Sequence, residues 1–202
     1  MARREGAPIA SLTDERVCEI IGDGVGRSDF GTPEPFTGYQ ITAATDLRRV
    51  PNRIQLRIHA GNGAIAPYFI NTAILVIEPL QQENAAFITW SVMKDILLAF
   101  VDQWHPTWCG VRSSDLYALY PEGGPPKFHL AWMTYLSPRF AQMVKPPNSA
   151  IVDRTPNGGL LMIATDERFE ADDPAHLAVT RDIDAAIAPV NALPWPPDRD
   201  GT

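Results

Sequence analysis

Cysteine is nearly absent from this chain, with Cys18 and Cys109 the only two thiols among 202 residues. That excludes a disulfide scaffold, which needs several bridges in a much shorter chain. Neither thiol has a CxxC partner or a nearby His or Asn in a nucleophile arrangement. Both are therefore expected as buried small hydrophobes in a reducing compartment. Lysine is scarce as well, limited to Lys94, Lys127 and Lys145. None stands two residues after a Glu, so the Asp and Glu-x-Lys kit of restriction-type nucleases is missing. Basic charge is in deficit: 17 Lys plus Arg face 24 Asp plus Glu, a formal balance of -7. A protein that coats nucleic acid by neutralising phosphates needs the opposite sign, so direct nucleic-acid binding is not expected. The apolar runs Ala73–Ile77 and Ile96–Val101 fall far short of the about 20 residues that span a bilayer, so no membrane partner is expected. Met1 to Glu15 holds no apolar run of signal-peptide length, and the expected location is cytoplasmic.

The usual catalytic kits are missing too. There is no GxSxG elbow and no Walker loop, and Gly22-Asp23-Gly24-Val25-Gly26 fails the GxGxxG spacing. His59, His105, His129 and His176 stand singly, without the HxH or HxxxH pairs of many metal sites. No cofactor or metal is expected. One enzymatic alternative stays open, a small hydrolase using a carboxylate pair, or His176 with Asp172 or Asp173.

What the chain does contain is an ordinary globular composition, 45% apolar and 20% charged, enough to bury a core. Residues 1 to 50 read as a loop-rich N-terminal extension. Glu15 to Ile21 forms a short strand or a pair of helical turns, and Gly22 to Gly38 is dense in Gly, Pro and Asp. Ile54, Leu56 and Ile58 alternate with polar residues, and Tyr68 to Ile77 forms the returning strand of a hairpin. Trp90, Met93, Leu97, Val101 and Trp104 recur at helical spacing, with Asn84 as cap and Pro106 as stop. Trp108 to Tyr120 reads as a strand running into a loop and His129 to Leu136 as a strand, followed by a short helix from Pro138 to Val144. Ala150 to Arg154 and Leu160 to Ala164 flank Asn157-Gly158, a strong hairpin signal. Asp173-Pro174 opens a last helix whose apolar face is Val179, Ile183, Ile187 and Val190. Together these predict an α+β fold with an antiparallel or mixed sheet of about six strands and two or three helices. The expected organisation is an extension at 1–50, one domain at 51–192 and a Pro-rich tail at 193–202.

The acidic surplus is uneven. Residues 150 to 202 hold ten acids and four arginines, a balance of -6, which leaves -1 for the rest. Five of those acids, Asp166, Glu167, Glu170, Asp172 and Asp173, fall within eight residues between the last hairpin and the last helix. Asp172 and Asp173 suit a helix start electrostatically. The whole cluster also reads as a negative ridge offered to a basic protein surface.

Three ordered stretches carry a family resemblance: Trp132-Met133-Thr134-Tyr135-Leu136-Ser137, Gly158-Gly159 through Thr165, and Asp173-Pro174-Ala175-His176-Leu177. Together with the helix exit Gln103 to Trp108, and over residues 52 to 192, the chain resembles the immunity protein 52 family of bacterial polymorphic toxin systems. The resemblance implies an α+β fold and a non-catalytic protein that binds and neutralises a cognate toxin. The toxins associated with that family are commonly nucleases of restriction-endonuclease fold, delivered by contact-dependent or type VI secretion. A cleft that binds a polyanion is basic, so such a toxin would suit the five-carboxylate cluster. Trp132, Gly158, Gly159, Thr165 and His176 are expected as structural motif residues, the glycines supplying positive φ in the turn. Tyr135 stands on the strand face opposite Trp132 and is expected as an exposed interface anchor. A secretion-system adaptor that binds without neutralising is the remaining alternative.

Overall fold

The computed structural model describes residues 12–45, 52–61, 71–79, 82–119, 128 and 130–193. It divides into two compact units, Met1–Ala85 and Ala86–Thr202. The described residues form an α+β fold of seven antiparallel strands in two sheets, with three main helices.

The first unit is a three-stranded antiparallel sheet, β1 (Tyr39–Ala44), β2 (Asn52–Ala60) and β3 (Thr72–Pro79), in that order. The helix α1 (Asp14–Asp23) packs against β1. Thr13 caps α1 by accepting the Arg16 N–H, and Asp14 and Glu15 sit where the helix dipole favours negative charge. The expected β2–β3 hairpin is present, with Leu56 opposite Leu75 and Ile58 opposite Ala73. Its turn, Gly61 to Gly63, extends outside the described residues. Strand β1 was not foreseen. It pairs along β2, with Ile41 opposite Ile58, so the sheet crosses the boundary expected at residue 50. Cys18 is exposed on α1 and not buried as expected.

The second unit holds a four-stranded antiparallel sheet in the order β4 (Trp108–Val111), β5 (Met133–Leu136), β7 (Leu160–Ile163), β6 (Ile151–Arg154). Every residue of β5 and β7 is buried, as only a sheet covered on both faces allows. One face carries Cys109, Tyr135, Leu161 and Asp153, which stand opposite one another across the strands. Lys94 of α2 (Trp90–Trp104) ion-pairs with Asp153 and so ties α2 to that face. The other face carries Trp108, Leu136 and Leu160. There Trp108 meets Phe128, and Phe128 is held by both side-chain atoms of Asn191 from α5 (Pro174–Asn191). Burying each such aromatic or aliphatic side chain contributes about 1.5–3 kcal/mol.

The helices differ from expectation mainly at their ends. Helix α2 is capped by Thr89, which accepts the Val92 N–H, and not by Asn84, because a short 3-10 turn occupies Gln82–Phe87. Met93, Leu97 and Val101 form its buried stripe. Trp104 is 45% exposed and lies outside the core. The stretch after β4 contains a short helix, α3 (Ser114–Ala118), and α4 (Pro138–Ala141) follows Ser137 as expected. In α5 the buried face is Thr180, Ile183, Ile187 and Val190, and Pro189 falls within its last turn.

Candidate functional site

The acidic segment leaves β7 at Ala164 and enters α5 at Pro174. Asp173 caps α5: its carboxylate accepts the Ala175 N–H at 2.7 Å, with Pro174 at the first helical position. That is the predicted helix start, and it spends one of the five carboxylates on structure. Asp166, Glu167, Glu170 and Asp172 are exposed, and Asp173 is half-buried. Arg168 lies 3.3 Å from Glu170 and offsets one charge.

A segment of charged residues would not hold one shape unaided, because like charges repel and the polar backbone prefers water. Here it is pinned from below by Phe169, which is 6% exposed. The Phe169 ring sits between Trp132 at 6.3 Å and His176 at 5.5 Å, the latter stacked on it. The Trp132 indole N–H donates to the Thr165 carbonyl at 2.9 Å. The Glu170 N–H donates to His176 Nδ1 at 3.1 Å, which leaves Nε2 facing Asp173 at 3.9 Å. The Thr165 hydroxyl accepts the Glu167 N–H at 3.1 Å. Three motif residues, Trp132, Thr165 and His176, are thus brought together as the mount of the acidic segment. Phe169 is not among the expected site residues, and its one signal in the sequence is that it is the only large apolar side chain among the charges from Asp166 to Asp173.

The other two motif residues serve the hairpin. Gly158 has φ 85°, a left-handed conformation that favours glycine. Gly159 is required for a different reason than expected: a Cβ there would stand 2.3 Å from the Tyr135 ring and 2.7 Å from Thr155 Oγ1. Asn157 closes the arrangement. Its Oδ1 accepts the Thr155 hydroxyl at 2.6 Å and the Gly159 N–H at 3.1 Å, and its Nδ2 donates to the Tyr135 hydroxyl at 3.0 Å.

Tyr135 therefore requires a correction. It does face away from Trp132, but it is 1% exposed, because the opposite face of the sheet is also covered. It cannot meet a partner without unfolding its surroundings, and it is not an interface anchor.

Burial raises the Cys109 thiol to about 11, so almost no nucleophilic thiolate exists at neutral pH. Asp184 in α5 is also raised, by burial alone and without a neighbouring carboxylate contributing. Among the described residues no group of three His, Cys, Asp or Glu side chains is placed to hold a metal ion. No described helix is long and apolar enough to cross a membrane. What the second unit offers is a solvent-facing set of carboxylates with the buried Phe169 ring beneath them.

A family model described as Immunity protein 52 matches residues 52–193, more than half of the chain. The chain belongs to the immunity protein 52 family, a family of non-catalytic proteins whose partner is a cognate toxin that they neutralise. The match covers β2 through α5, including the whole Trp132–Phe169–His176 mount. A comparison with curated proteins gave no match.

Proposed function

We propose that this immunity protein neutralises a nuclease toxin of restriction-endonuclease fold, delivered by contact-dependent or type VI secretion, and engages its basic substrate cleft with the acidic segment 165–173. The observation that carries this reading is the Phe169 mount. It holds Asp166, Glu167, Glu170 and Asp172 at fixed positions in solvent, where their mutual repulsion would otherwise spread them. A fixed set of carboxylates resembles the phosphates that a nuclease cleft is built to receive, and a pre-set arrangement loses less conformational freedom on binding. The protein acts in the cytoplasm, where such a toxin meets nucleic acid.

Charges at the rim of an interface mainly raise the association rate, and salt screens that effect. Changing Asp166 and Asp172 to Asn and Glu167 and Glu170 to Gln is expected to slow association with the toxin about 10-fold or more at low salt. The difference should shrink above roughly 0.3 M salt. Asp173 is left in place so that the α5 cap is not disturbed. Stopped-flow association kinetics across a salt series make the test. An on-rate in the unaltered protein that ignores salt would remove the electrostatic reading.

A further inference from the structure

The first unit carries a feature that the acidic segment does not explain. Phe30 is 97% exposed and Phe36 59% exposed, both in the loop between α1 and β1. Scattered exposed apolar residues are normal and need no partner. This loop is different in being closed by its own hydrogen bonds. Gly26 N–H donates to the Gly38 carbonyl and Glu34 N–H to that of Gly26, at 2.9 and 2.7 Å. Nearer the tip, Ser28 N–H donates to Thr32 O at 2.9 Å and Gly31 N–H to Ser28 O at 2.8 Å. The Arg27 guanidinium reaches over to the Gly31 carbonyl at 3.0 Å. Gly31, with φ 80°, makes the reversal that leaves Phe30 at the apex. A polar residue would satisfy the turn equally well, so a nearly fully wetted Phe at its apex is not demanded by the fold.

We infer that this loop is a second docking element for the cognate toxin, with Phe30 as an aromatic anchor that enters an apolar pocket rimmed by basic residues. Large aromatic side chains dominate binding energy when they fill a partner's pocket, and a braced loop delivers one at little cost in order. The basic rim follows from charge. Residues 12 to 45 hold six carboxylates and two arginines, a balance of -4, and Asp29 adjoins Phe30 directly. A basic toxin surface fits that field, whereas the same segment of a second copy would repel it. The loop also lies before residue 52, where the family match begins. The family match therefore does not account for it. The inference rests on the toxin-binding reading above but not on the acidic segment.

The test measures affinity of the full chain for its cognate toxin domain, by calorimetry or biolayer interferometry, for the unaltered protein, Phe30→Ala and Phe30→Trp. Phe30→Ala is expected to bind about 10- to 100-fold more weakly, mainly through faster dissociation, with an unchanged thermal midpoint. Phe30→Trp should stay within about 3-fold of the unaltered protein, since an aromatic anchor remains. Affinity of Phe30→Ala within about 2-fold of the unaltered value overturns the inference and leaves the toxin reading intact. So does loss of self-association on light scattering with toxin affinity unchanged, which would assign the loop to a second copy. An unaltered protein that fails to bind the toxin overturns both readings together.

Discussion

Phe169→Ala is expected to lower the unfolding free energy by about 3–4 kcal/mol, among the largest effects of any single change in the second unit. Truncating a buried Phe removes its transfer energy and leaves a cavity, and here both neighbours are held in place. Trp132 is fixed by its indole bond to Thr165, and His176 lies in the first turn of α5. Collapse into the space is therefore limited. The second consequence is local. Without the ring, the acidic segment is restrained against its own repulsion by the hydrogen bonds at Thr165, Glu167, Glu170 and Asp173 and by the Arg168–Glu170 ion pair. Amide exchange should accelerate from Asp166 to Asp172 by more than global destabilisation alone explains. Chemical denaturation reports the first effect and exchange the second. A variant with wild-type stability would mean that Phe169 is not the mount described above.

Gly159→Ala is expected to cost about 2–3 kcal/mol, more than Gly158→Ala, despite the positive φ at Gly158. At Gly158 the added methyl group meets nothing nearer than Pro138 at 3.8 Å, so only the left-handed backbone is penalised, by about 1–2 kcal/mol. At Gly159 the methyl group collides with the Tyr135 ring, its hydroxyl and Thr155 at once. None of these can swing into solvent: Tyr135 is fully buried and Thr155 is tied to Asn157. Relief requires moving β5 relative to β7. Urea denaturation of the two variants in parallel measures the difference. The reverse order of stabilities would show that backbone conformation, and not close packing, dictates both glycines.

Much of the second unit was legible because its signals are local. Asn157-Gly158 specifies a hairpin through backbone preference alone, and Asp173-Pro174 specifies a helix start through a cap and a preset φ. The stripe of α2 is likewise a periodicity within one element. What escaped depends on partners distant in sequence. Strand β1 alternates only weakly, Tyr39, Ile41 and Ala43 being its inward residues, and its identity as a strand comes from pairing with β2. The face of Tyr135 followed correctly from strand parity. Its burial did not, because that requires α2 and α5 to cover opposite faces of one sheet, which no single segment encodes. The acidic segment was visible as composition, but its fixed shape was not. That comes from Phe169 meeting two rings contributed by a strand entrance and a helix start.

Family membership makes toxin neutralisation the claim on which the rest depends. The most direct measurement is survival of cells that express the cognate toxin domain with and without this chain. Co-expression is expected to restore growth by several orders of magnitude in viable counts. The Phe169→Ala variant should give weaker protection at matched soluble protein levels. Equal killing with and without the unaltered chain, at demonstrated expression of both proteins, would contradict it.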